Sequence, residues 1–156
     1  MSSLKLSINR FSQAMQSVIR NAVKAGTIRK ADKLDTQDLL ASLAESGTKS
    51  GQALNGCGAT FPTVMTSCDY CRTKYGRDVQ VDEDDINTMF SSDGRKALLL
   101  AETIAKLRNK PEVTEEELLE VLTGAGGLNE PVSKKILDRL GIKIKDINQA
   151  FNVLNN

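Results

Sequence analysis

Apolar residues recur along this chain with a helical period. In LSINRFSQAMQSVIRNAVKAG the stripe runs through Phe11, Met15, Val18, Ile19, Ala22 and Val23 and stops at Gly26. After the polar connector TIRKADKLD, the segment DTQDLLASLAESG predicts a second helix, capped by Asp35 or Thr36 and closed by Gly47. SGQALNGCG predicts a short third helix ending at Gly58, and ATFPTVMTSCDYCRTKYG supplies a fourth segment.

The same order then returns. SSDGRKALLLAETIAKLRNK carries Ala97, Leu98, Ala101, Ile104, Ala105 and Leu107 as a stripe, with Asp93 or Ser92 as N-cap and Asn109-Lys110-Pro111 as the stop. In VTEEELLEVLTGAGG, Thr114 and Glu117 have the spacing of a capping box. Three glutamates suit the positive end of that helix, and Leu118, Leu119, Val121 and Leu122 form its buried face. Gly124, Gly126 and Gly127 stop it. EPVSKKILDRLGI predicts a short helix with Pro131 in its first turn and Gly141 at its end. KIKDINQAFNVLNN places Ile144, Ile147, Phe151 and Leu154 on one face.

The chain therefore reads as one unit written twice. TQDLLASL begins at Thr36 and TEEELLEVL at Thr114, so the spacing is 114 − 36 = 78. Past the longer loop TGAGGLNEP it becomes 141 − 58 = 83, pairing Leu54 with Leu137, Cys57 with Leu140 and Gly58 with Gly141. The same spacing pairs Phe61 with Ile144, Val64 with Ile147, Cys68 with Phe151 and Cys71 with Leu154. The expected fold is all-α: a tandem duplication of a four-helix unit, about eight helices related by a pseudo-twofold axis. The first repeat is placed at 1–76, an acidic linker at 77–91 and the second repeat at 92–156, in one compact domain. The DEDD run of the linker is positioned to cap a short helix through Ile86, Met89 and Phe90.

Composition narrows the function classes. The chain has no histidine, which removes imidazole acid–base chemistry, Ser–His and Cys–His nucleophile pairs and histidine metal ligands, and argues against a hydrolase. Residues 1–76 hold ten Lys/Arg against five Asp/Glu, and residues 77–156 eleven against fifteen. The basic residues are scattered rather than striped, and six aromatics without a tryptophan give little for base stacking, so no nucleic-acid partner is expected, and a helical nucleic-acid-binding or regulatory protein stands only as an alternative reading. No apolar run is long enough for a membrane span, and MSSLKLSINRF lacks the apolar core of a secretory signal. A cytoplasmic location is expected, or an organelle matrix such as a plastid if a transit peptide has been removed.

Cys68 and Cys71 form CDYC, and Cys57 lies eleven residues before Cys68. A tetrahedral metal site wants four ligands and the fourth is missing. All three cysteines fall where the other copy has Leu, Phe and Leu, so core packing is the preferred reading, with a small thiol-redox or metal-binding protein as the alternative. SGTKSG lacks the order of a phosphate loop, and the DEDD segment lacks the glycine and ligand spacing of a calcium loop. No cofactor is expected.

The order SSDGRKALLLAETIAK, VTEEELLEVL and ILDRLGIKIKDINQAF, preceded by FSQAMQSVIRNAVKAG, DTQDLLASL and ALNGCGATFPTVM, resembles the N-terminal domain of Clp AAA+ unfoldases over about residues 8–154. The resemblance implies a non-enzymatic protein-binding module. Such a module receives substrates or adaptors, or docks on a Clp ATPase or protease core. Some members bind phosphorylated arginine once per repeat, through the glutamate of a T-E-H motif and a hydroxyl at the start of the first helix. By motif match this nominates Ser91 with Glu115 in the second repeat and Ser12 with Gln37 in the first. Asp38 and Glu116 stand at the histidine of the motif, and Val113 at its preceding glycine. No Walker A lysine loop is present in this sequence. The resemblance fits an excised domain or, preferably, a free-standing accessory subunit.

Overall fold

A computed structural model describes residues 8–28, 33–67, 86–124 and 131–155; Cys68, Cys71, Gly126 and Gly127 lie outside them. Helices run in the order α1 (Gln13–Ile28), α2 (Thr36–Glu45), α3 (Lys49–Gly56), α4 (Phe61–Ser67), α5 (Ile86–Met89), α6 (Ser92–Leu107), α7 (Glu115–Leu122), α8 (Val132–Arg139) and α9 (Ile144–Asn155). A single 3-10 turn, Ile8–Arg10, precedes α1. The fold is all-α: the described residues contain isolated bridges but no strand. Among the described residues four helices stand in each half, with the short α5 between them.

The duplication is written into the helix ends. Helices α1 and α6 are both 16 residues long and start 92 − 13 = 79 positions apart. Helices α3 and α8 are both 8 residues long and start 132 − 49 = 83 apart, as do α4 and α9 at 144 − 61 = 83. Equivalent caps repeat. The Ser12 hydroxyl accepts from the Met15 N–H at 3.1 Å, and the Ser91 hydroxyl accepts from the Gly94 N–H at 3.1 Å. The Ala59 N–H donates to the Leu54 carbonyl at 2.9 Å, as the Ile142 N–H does to that of Leu137. Gly58 and Gly141 follow the ends of α3 and α8 with φ of 100° and 76°, a backbone region that favours glycine.

This geometry moves the first-half register by one. Asp35, not Thr36, caps α2, and its backbone N–H donates to the Asp38 carboxylate at 2.9 Å. The Thr114 N–H donates likewise to the Glu117 carboxylate at 2.9 Å. Asp35 is thus the equivalent of Thr114, at the spacing of 79 set by α1 and α6 rather than 78. Ser91, rather than Ser92 or Asp93, caps α6. Leu107 is 78% exposed, because it ends α6 past the turn that packs.

The two halves are stitched together where their helices begin. Phe11 and Val113 form a parallel bridge: the Ser12 N–H donates to the Val113 carbonyl at 2.9 Å, and the Val113 N–H to that of Arg10 at 3.0 Å. Leu34 and Phe90 repeat it: the Ser91 N–H donates to the Leu34 carbonyl at 2.7 Å, and the Leu34 N–H to that of Met89 at 2.9 Å. Exchanging the halves converts one bridge into the other, as a pseudo-twofold relation requires. One hydrophobic core crosses that axis and includes Phe11, Leu34, Phe90 and Val113 with the inner faces of α1, α2, α6 and α7. Sharing it lets each small unit cover apolar area that it could not bury alone.

Helix α2 lies at the centre. Every residue from Thr36 to Ala44 is buried, and α1, α3, α4, α6, α7 and α8 all pack against it. Its equivalent α7 keeps one face partly open. The difference comes from the fourth helix of each unit: α4 lies along α2, whereas α9 packs most closely on α3, with a cleft between it and α7.

Candidate functional site

Helix α7 opens on three glutamates with different surroundings. Glu117 is fully buried and accepts from the Thr114 N–H at 2.9 Å, the Thr114 hydroxyl at 2.8 Å and the Lys110 ammonium at 2.7 Å. Burial would raise its pKa; the bonds from Lys110 and Thr114 and the charge of Lys110 outweigh that and lower it. Glu117 therefore holds the helix start. Glu115 is half-buried and Glu116 is exposed, and both remain at the surface of the first turn.

The bridges decide which nominated residues meet. Ser12 is hydrogen-bonded through its backbone to Val113, two residues before Glu115. Ser91 is bonded in the same way to Leu34, just before α2. These bonds run across the repeats. Ser12 flanks the start of α7, and Ser91 flanks the start of α2. The hydroxyls of both serines accept from the first turns of their own helices.

The one-residue register shift sets which first-repeat residue is the equivalent of Glu115. Glu115 is the first residue of α7, and the first residue of α2 is Thr36. Thr36 is fully buried, and its hydroxyl accepts from the Ser133 N–H of α8 at 3.1 Å. Gln37 is the equivalent of Glu116; it is 2% exposed, and its Oε1 is buried with no hydrogen-bond partner. The start of α2 is thus enclosed where the start of α7 is open.

Sequence reasoning missed the cleft beside α7. It holds about 250 Å³ and is lined by Glu116, Leu119, Glu120 and Thr123 of α7, Arg108 at the end of α6, and Ile144, Ile147, Asn148 and Phe151 of α9. The signal was present in the repeat: these α7 positions correspond to Gln37, Leu40, Ala41 and Ala44 of α2, all buried. In α2, on which α4 packs, two of these positions are the small residues Ala41 and Ala44; in α7 they are Glu120 and Thr123.

Cys57 ends α3 and packs half-buried against the core. Burial raises its thiol pKa and the Asp146 carboxylate raises it further, which is opposite to the environment of a reactive thiolate. Cys68 and Cys71 lie outside the described residues. Among the described residues no cluster of metal-ligating side chains occurs, and no helix is long and apolar enough to cross a membrane.

Comparison with known proteins agrees with this architecture. A search of curated proteins finds no match. The solved N-terminal domain of the caseinolytic protease associated chaperone ClpD from Arabidopsis thaliana superposes with a TM-score of 0.71 at 17% identity. The match covers 96% of this chain and 99% of that one, a likeness of fold. The family described as Clp repeat (R) N-terminal domain matches residues 10–129. With the doubled four-helix unit, its repeated caps and its crossed bridges in place, that match shows the chain to be a member of the Clp repeat N-terminal domain family.

Proposed function

We propose that this chain is a non-enzymatic protein-interaction module of a Clp-type quality-control system, which receives substrates or adaptors or docks on a Clp ATPase or protease core. The observation that carries the reading is the α1–α7 junction. There Glu115 stands at an open helix start beside the backbone of Ser12, on a fold otherwise occupied with its own packing. A carboxylate pairs with a guanidinium, while a hydroxyl and free helix N–H groups suit a phosphate. The junction therefore suits a phosphorylated arginine on a substrate protein. The equivalent Ser91–α2 junction is closed by the burial of Thr36 and Gln37, so one such site operates rather than two. The module works as one domain, with repeats at 1–76 and 92–156 joined by an acidic linker, in the cytoplasm or an organelle matrix.

Two measurements test this. Affinity capture from the source cell with the full chain as bait should recover a Clp ATPase or protease ring; reproducible absence of both overturns the assignment to that system. Calorimetry with a phosphoarginine peptide should give one equivalent, lost in Glu115→Gln and retained in Gln37→Ala. Two equivalents, or none, would overturn the single-site reading.

A further inference from the structure

The cleft between α7 and α9 is the opened counterpart of an interface that the first repeat keeps closed. We propose that it is a second docking site, distinct from the α1–α7 junction, for a protein segment that presents an apolar side chain next to a lysine or arginine. The proposal rests on the reading of the chain as a protein-interaction module and specifies one partner chemistry for it.

Shape comes first. At about 250 Å³ the cleft is smaller than the roughly 300–1,000 Å³ typical of a small-molecule pocket. It suits one or two side chains delivered by a longer chain better than a free ligand. Its walls are Leu119, Ile144, Ile147 and Phe151. Ile144 is 42% exposed, although its equivalent Phe61 in the first repeat is covered by the Lys24 ammonium, 4.6 Å from the ring centre. Deeper in, the repeats agree: Val64 of α4 is fully buried and its equivalent Ile147 is 2% exposed. The opening lies at the Ile144 end of the interface, where an incoming apolar side chain would cover Ile144 and Phe151.

Charge then selects the neighbour of that side chain. The lining holds two carboxylates, Glu116 and Glu120, against one guanidinium, Arg108. Arg108 takes the Oε1 of Glu120 at 2.8 Å, whereas the Oε2 is buried with no hydrogen-bond partner. The Glu120 side chain is 39% exposed, so an ammonium or guanidinium brought in beside the apolar anchor would pair with it or with the exposed Glu116. In the first repeat Ala41 fills the equivalent position, so the carboxylate belongs to the open copy alone.

The test uses two fluorescent peptides with the same leucine and phenylalanine positions, one with lysine and one with glutamate between them. Titrated against the full chain, the lysine peptide should bind at least tenfold more tightly and shift the amide resonances of Leu119, Ile144 and Asn148. Glu120→Gln should weaken it about tenfold, and Ile144→Asp should abolish binding. A double variant with Glu120→Ala and Thr123→Ala, which copies Ala41 and Ala44, should close α9 onto α7. That variant should melt at a higher temperature and lose the peptide. Equal affinity for both peptides, or binding unchanged in these variants, overturns the proposal. Glu115→Gln should leave peptide binding intact, and recovery of a Clp partner does not depend on the peptide result, so failure here is distinguishable from failure of the functional reading.

Discussion

The Lys110 ammonium lies 2.7 Å from the carboxylate of Glu117, a side chain with no solvent exposure. The same carboxylate accepts twice from Thr114 and lies 3.8 Å from Arg108. Its folded pKa is lowered despite burial, so its contribution has a definite sign with pH. The stabilisation is fully present above the unfolded glutamate value of about 4.3 and is lost as pH falls through the lower folded value. Urea melts from pH 7 down to pH 3 should show stability falling at the acid end. Glu117→Gln should reduce that slope and cost about 1–3 kcal/mol at neutral pH, because charged acceptors hold the cap. An unchanged acid slope in the variant would assign the acid loss to other carboxylates.

Asn109 adopts φ 56° just past α6, the only non-glycine with positive φ among the described residues. The Lys110 N–H reaches back to the Ala105 carbonyl at 3.0 Å, the closing bond of a Schellman turn. Asparagine tolerates this region better than alanine does, and glycine better still. Asn109→Ala should therefore lower stability by about 1 kcal/mol, while Asn109→Gly should match or exceed the parent. Denaturation midpoints for the three proteins decide it; equal values for alanine and glycine would mean that the turn relaxes.

Much of the fold was legible because periodic stripes and glycine stops carry their own geometry. Gly58 and Gly141 anchor the 83 spacing, since both need positive φ at the end of a short helix. The 78 spacing slipped because Thr36 and Thr114 are the same residue while the cap they suggest is not shared. Either aspartate or threonine can cap a helix, and Asp35 does in the first copy what Thr114 does in the second. The crossed bridges were invisible in sequence: a pairing of one residue with one residue, Phe11 with Val113, leaves no period to read. The open cleft was readable only after the register was corrected, when Glu120 and Thr123 fall on Ala41 and Ala44.

Cys57 offers a direct check on the cysteine reading. Burial first, and then the Asp146 carboxylate, keep its thiol protonated to a higher pH than usual. Alkylation at pH 8, followed residue by residue by mass spectrometry, should be several-fold slower at Cys57 in the folded chain than in urea. Asp146→Asn keeps an acceptor for the Lys143 N–H, which the carboxylate accepts at 2.9 Å, and should partly restore the rate. Equal rates in folded and unfolded protein would return Cys57 to the list of candidate redox groups.

Gly94 sits in the first turn of α6 with an ordinary helical φ, so its side-chain hydrogen is required for space rather than for backbone freedom. A Cβ there would lie 2.9 Å from Cδ1 of Phe90, 3.2 Å from its Cβ and 3.1 Å from the Leu34 carbonyl oxygen. Those atoms belong to the Leu34–Phe90 bridge, where the two repeats meet. The equivalent position beside the other bridge is Met15, which is fully buried, so that junction is built to hold a side chain and this one is not. Helix propensity alone would favour Gly94→Ala by up to about 1 kcal/mol. Overpacking against a backbone carbonyl and a buried ring typically costs about 1–3 kcal/mol, so the clash should win and the variant should be less stable by about 1–2 kcal/mol. Hydrogen exchange should then show the loss concentrated in the amides of Leu34 and Ser91, which form the bridge. A stabilised Gly94→Ala variant would mean that the junction has slack, and that the two halves are held together chiefly by the core beneath it.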